Sequence, residues 1–172
     1  MTIFIPFKKI GQKYKRFFYH VCLLGLGWVV LFEGITRSTH LALNQSDSLP
    51  QKAFLILKGK DLKRGQYVSF KNAWFKAPLI KEVIGVAGDK IIHDEKGQIW
   101  IARKVGNPLS HSKDGKPLHS IPSGVIPLGY VFVYAPHPRS FDSRYLEVGL
   151  VPLDPTSDPG RDQILGQAVP LF

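Results

Sequence analysis

A chain of 172 residues with 44% hydrophobic and 21% charged content has material for one folded domain plus an anchoring segment, and is too apolar to be disordered. Its formal charge of +10 does not mark a nucleic-acid protein: half the excess comes from Lys8, Lys9, Lys13, Lys15 and Arg16, ahead of any acid, and not from a basic face on a folded element. The single cysteine, Cys22, excludes an intramolecular disulfide and a cysteine-based metal centre, and the six histidines show no metal-ligand spacing.

Residues 1–16 read as a basic tail. The run FFYHVCLLGLGWVVLF (17–32) follows without a formal charge. At ~1.5 Å per residue it covers roughly 24 Å, close to a ~30 Å hydrocarbon core once Lys15 and Arg16 snorkel at one end. A transmembrane helix over 17–35 is expected. A cleavable signal peptide shares this layout, but 33–38 offers only a poor small-x-small site at Thr36 and Ser38. A buried core helix fits the length and sits badly with the five leading bases. The positive-inside rule then places the tail in the cytoplasm and residues 36–172 outside it.

Past the helix, Asn44-Gln45-Ser46-Asp47-Ser48-Leu49-Pro50 is a polar connection in which Pro50 bars a helix through Ser48. Strands are expected at 53–58, 66–70, 79–91, 98–103, 129–134 and 164–169, each a short apolar or alternating run. Turns fall at 61–65, around 76–78 and at Gly88-Asp89, which closes the 79–91 run. Residues 104–124, rich in glycine and proline, read as a surface excursion without a fold of its own. Short strands separated by Gly/Pro turns, with no amphipathic helix, predict a mainly β fold: a small antiparallel domain preceded by one transmembrane helix.

Two residues carry the chemistry. Ser48 lies on an exposed connection and lacks a base, so alone it reads as an ordinary loop serine. Lys81 sits among Leu79, Ile80, Val83 and Ile84, where burial would lower its pKa and make the amine a general base. Alone it reads equally as a strand lysine facing solvent, and Asp142 and Arg144 as a surface ion pair. A serine activated by a lysine is a known hydrolase pairing.

Taken in order, four stretches resemble the type I signal peptidases, membrane-bound serine/lysine peptidases acting outside the cytoplasm. They are Ser46 to Pro50, Arg64 to Phe70, Ile80 to Asp89, and Ser140-Phe141-Asp142-Ser143-Arg144-Tyr145. The lysine and closing boxes are the specific ones. The chain departs from the general enzymes at Glu82, where they carry arginine, at Ala135 to Arg139, where they carry Gly-Asp-Asn-Arg, and at Gln51, where they carry threonine. The short Ser-Leu-Pro box and single anchor resemble the conjugation branch, the TraF-type peptidases that mature pilin subunits.

The resemblance implies a signal-peptidase-like β domain with Ser48 as nucleophile and Lys81 as base. It implies an oxyanion held by the Ser48 amide and the Ser46 hydroxyl, Ser140 orienting the lysine, and Asp142 with Arg144 as structural support. No metal or organic cofactor is implied. The implied partners are a precursor with a signal peptide, pilin-like, together with membrane lipid and other conjugation-apparatus proteins, and no nucleic acid. The implied location is the bacterial inner membrane, single-pass, with the catalytic domain on the periplasmic side. A general signal peptidase for secreted preproteins and a non-catalytic membrane-tethered assembly factor are the alternatives. A self-cleaving Ser-Lys repressor would need a DNA-binding helix pair where 1–43 offers an apolar segment.

Overall fold

In the computed structural model the described residues are 12–44, 46, 48–59, 61–154 and 163–171, so the basic tail up to residue 11 lies outside them. One long helix, α1 (Gln12–Ser38), is longer than the uncharged run because Lys15 and Arg16 are good helix formers and no proline interrupts them. Its stretch Tyr14–Thr36 is long and apolar enough to cross a membrane, and none of it is buried. Phe17, Leu24, Trp28 and Leu31 are all exposed along it.

The chain passes from α1 into eleven strands: β1 (Thr39–Leu43), β2 (Ala53–Leu57), β3 (Tyr67–Asn72), β4 (Phe75–Gly85), β5 (Lys90–His93), β6 (Ile99–Trp100), β7 (Lys104–Gly106), β8 (Gly124–Val125), β9 (Tyr130–Tyr134), β10 (Val151–Pro152) and β11 (Gln163–Pro170). They form a seven-stranded sheet in the order β1-β2-β11-β3-β4-β9-β10 and a four-stranded sheet in the order β7-β6-β5-β8. Every pairing is antiparallel. The mainly β, antiparallel domain behind one apolar helix is the architecture expected.

Three departures from the expected elements have physical causes. A strand precedes the serine: β1 pairs with β2 from Thr39↔Leu57 to Leu43↔Ala53, so Ser48 rides on a hairpin loop. The expected loop around Lys76-Ala77-Pro78 is strand, with the turn moved to Ala73-Trp74. Pro78 is tolerated because the β3–β4 register breaks between Phe70 and Asn72, where a missing amide costs no ladder bond. The expected run 79–91 is two strands, β4 and β5, and the turn that closes the first lies at Ala87-Gly88, one residue before the expected Gly88-Asp89.

The stretch 104–124 is not a structureless excursion. It supplies β7, and Val105 and Ile121 are buried with Ile84, Ile91, Ile99, Ile101, Ile126 and Phe132 in a core cluster behind the four-stranded sheet. The Leu109 amide donates to the Tyr145 hydroxyl at 3.1 Å, and Ser120 bridges to Tyr145. Its glycines and prolines mark turns between apolar contacts too widely spaced to show periodicity.

The last strand, β11, inserts between β2 and β3, binding the Ser48 hairpin to the body of the sheet. Its register shifts at Gly166, whose φ of 153° and whose approach to the Leu57 carbonyl leave no room for a Cβ.

Candidate active site

Lys81 lies on β4, the strand between β3 and β9, with Val68 as its cross-strand neighbour. Only 3% of the residue is exposed. The solvent-facing reading of this lysine is therefore overturned. Burial is the dominant influence on its amine; the Asp142 charge opposes it and the Arg144 charge adds to it, leaving a pKa lowered from 10.5 to about 8. None of the described carboxylates forms an ion pair with it.

The closing box forms the adjoining wall and is not a surface feature. Asp142 is fully buried and Arg144 is 2% exposed. Arg144 Nε donates to Asp142 Oδ1 at 2.8 Å and Nη2 to Oδ2 at 3.0 Å, a two-point clasp. Nη2 also donates to the carbonyls of Ser140 at 3.0 Å and His137 at 3.2 Å. Asp142 in turn accepts from the Ala135 amide at 3.2 Å, which ties the 137–145 loop to the end of β9. Burial disfavours the guanidinium charge, but the Asp142 hydrogen bond and charge outweigh it and raise the Arg144 pKa. Ser140 is buried, and its hydroxyl has no hydrogen-bond partner among the described residues.

Ser48 is half-buried on the 44–52 loop. Leu49, 3% exposed, packs with Phe54, Ile56, Ala135 and Ala168, and Ile80 lies against the same cluster. Ile80 precedes Lys81 and Ala135 anchors Asp142, so the serine loop is seated on the elements that carry the other site residues. Among the described residues no hydrogen bond joins Ser48 to Lys81. The Ser46 hydroxyl donates to Asn44 Oδ1 at 2.9 Å, so its proton is committed within the loop.

Two further groups in the matched boxes have defined work. Arg64 donates to the Ile84 carbonyl at 2.7 Å and pairs with Asp89 at 2.7 Å, joining the second box to the end of the lysine box. Asp89 also accepts from the Val86 amide at 2.7 Å and closes the turn after β4. Partial burial opposes its charge, yet these bonds hold its carboxyl below the usual range. Glu82, the departure beside the lysine, accepts from Arg103 at 2.7 Å. Neither Arg64 nor Asp89 was singled out individually from the sequence; Arg-Gly and Gly-Asp at strand ends were the available signals.

A buried lysine of depressed pKa, an internal Asp–Arg clasp and a serine on a hairpin loop are carried by one antiparallel β domain. The chain belongs to the signal peptidase family, peptidase S26, whose match spans residues 10–169. It is similar to a probable conjugal transfer protein TraF of Sinorhizobium fredii, 36% identical over 76 residues, covering 40% of this chain and 37% of that protein. It is also similar to a conjugal transfer protein TraF of Agrobacterium fabrum, 32% identical over 108 residues, covering 58% of this chain and 51% of that protein. The matched part thus spans about half or less of each relative's own length.

Proposed function

We propose that this protein is a membrane-anchored serine endopeptidase that removes a signal or leader peptide from a conjugation-system precursor, pilin-like, outside the cytoplasm. The observation that carries the reading is Lys81: an amine 3% exposed with a pKa of about 8 is a usable base near neutral pH. Ser48 attacks the carbonyl of the scissile bond, Lys81 takes its proton and returns it to the departing amine, and an ester to Ser48 remains. Lys81 then takes a proton from water, whose oxygen attacks the ester; the bond to Ser48 Oγ breaks, the proton passes to Oγ, and the leader leaves with a free carboxylate. The unpartnered Ser140 hydroxyl is the group suited to orient the amine. The Ser48 amide is the oxyanion donor of first choice, since the Ser46 hydroxyl must turn away from Asn44 to assist.

The helix α1 is the anchor, with the basic tail on the cytoplasmic side and the β domain on the periplasmic side of the inner membrane. Family membership, the TraF relatives and the charge asymmetry of the first sixteen residues support this. Membrane lipid and other transfer-apparatus proteins are the partners this reading gives it, with nucleic acid excluded. The test is co-expression with candidate pilin precursors and mapping of the mature amino terminus, comparing the native chain with Ser48→Ala. Cleavage lost in the variant supports the reading; unchanged processing contradicts it.

The pH dependence follows from the lysine. Below its pKa the ammonium form predominates, so kcat is expected to rise about tenfold per pH unit up to about pH 8 and to level off above it. An acidic optimum that declines above neutrality, measured with a peptide substrate, contradicts a lysine base.

A further inference from the structure

One side chain holds the Ser48 hairpin loop in shape. Asn44, the first residue after β1, donates through Nδ2 to the carbonyl oxygens of Leu49 at 3.0 Å and Gln51 at 2.9 Å. Its Oδ1 accepts from the Ser46 amide at 3.1 Å and from the Ser46 hydroxyl at 2.9 Å. The Asn44 backbone amide donates to the Lys52 carbonyl at 2.8 Å and closes the neck of the loop. A primary amide has two donor hydrogens and two acceptor lone pairs, and all four are spent on the loop.

The ties fall on both flanks of the serine: Ser46 lies two residues before it, and Leu49 directly after. Pro50 stands between the two tied carbonyls, so its fixed φ stiffens the segment that Nδ2 spans. The loop, 44–52, is longer than the two to five residues usual in hairpins. Without the carboxamide the Leu49 side chain, the neck and the Gln51 Nε2 bond to the Tyr67 hydroxyl at 3.3 Å would hold it, and none of these bonds Ser46 or the Leu49 carbonyl. The bonds fix the Ser48 backbone, and through it both the hydroxyl and the amide N–H that the reaction uses.

We propose that Asn44 is the positioning residue of the nucleophile: it presets the loop so that the hydroxyl and amide of Ser48 are presented together. This rests on the reading of Ser48 as nucleophile. Asparagine suits the task because aspartate, though isosteric, turns both donors into acceptors facing two carbonyls. Threonine keeps one donor hydrogen and an acceptor oxygen with two lone pairs, but on a shorter side chain, and alanine keeps none.

The test uses the full-length chain in detergent micelles and a fluorogenic peptide with alanine on the acyl side of the cut. Wild type is compared with Asn44→Asp, Asn44→Ala and Asn44→Thr, with melting curves taken alongside. A misplacement of about 1 Å costs on the order of 100-fold in rate. Asn44→Asp and Asn44→Ala are therefore expected to lose about that much kcat with KM within about threefold, and Asn44→Thr to fall between. The pH midpoint should stay at the wild-type value, because Lys81 is untouched. A kcat within about threefold of wild type in the folded variants overturns the assignment. So does a loss confined to KM, and so does failure of all three to fold, which would make Asn44 a support of the whole domain. A wild-type chain that cuts no peptide, or a Ser48→Ala chain that still cuts it, instead removes the nucleophile reading beneath the proposal.

Discussion

Lys81→Met is expected to abolish cleavage and, at neutral pH, to stabilise the domain. The site holds an ammonium where only 3% of the residue meets solvent, and its pKa falls from 10.5 to about 8 in consequence. Between those values the unfolded chain binds the proton and the folded chain does not, so stability rises with pH across that window. Below about pH 8 both states carry the proton, and the folded state bears the full cost, at most about 3 kcal/mol. Above 10.5 the cost is gone. Methionine fills a similar volume without a charge, so the variant should be inactive, more stable at pH 7, and flat in stability from pH 8 to 10.5. Lys81→Arg should be equally inactive, because guanidinium does not deprotonate, and less stable, because it stays charged at every pH. Urea unfolding and peptide cleavage on the same preparations check both halves. Activity in the arginine variant, or a methionine variant weaker than wild type at pH 7, contradicts the assignment.

Breaking the Asp142–Arg144 clasp is expected to give the largest loss of stability. Removing one partner of a buried pair strands the other charge and costs about 3–5 kcal/mol. For Arg144→Met that cost falls on a carboxylate with no exposed surface, and the bonds to the Ser140 and His137 carbonyls go with it. A fall in melting temperature on the order of 10 °C is expected. The two halves of the pair also act on Lys81 with opposite sign. Asp142 raises the lysine pKa and Arg144 lowers it, so Asp142→Asn should move the pH profile to lower pH and Arg144→Met to higher pH. Melting curves and pH–rate profiles of the folded fraction read this out. Equal shifts in one direction, or no melting change, would show that the clasp is neither a support nor an electrostatic neighbour of the lysine.

Strands with a local apolar signature were legible in the sequence: Tyr130–Tyr134 and Ala53–Leu57 announce themselves. β1 did not, because Leu41 and Leu43 face outward on an edge strand and give no buried face to detect. The contribution of 104–124 was hidden because Val105 and Ile121 reach the core singly, through contacts distant in sequence. Lys81 drew attention through its apolar neighbours, yet the charges that act on its buried amine, Asp142 and Arg144, come from a segment distant in sequence, a fact of tertiary structure and not of local pattern. Asp142 and Arg144 look in sequence like any surface pair two residues apart; what buries them is the return of the 137–145 loop against the end of β9. Asn44 carries only the faint signal of an asparagine two residues before a serine, the spacing of an Asx turn.

The most direct test of a Ser48 nucleophile served by Lys81 is capture of the ester. Full-length protein is mixed with a peptide bearing alanine on the acyl side of the cut, quenched in acid within the first turnover, and its mass measured intact and after digestion. Expected is a mass increase equal to the acyl portion of the peptide, located on Ser48 and absent from both Ser48→Ala and Lys81→Met. An adduct on another residue, or full cleavage by Ser48→Ala, would contradict it.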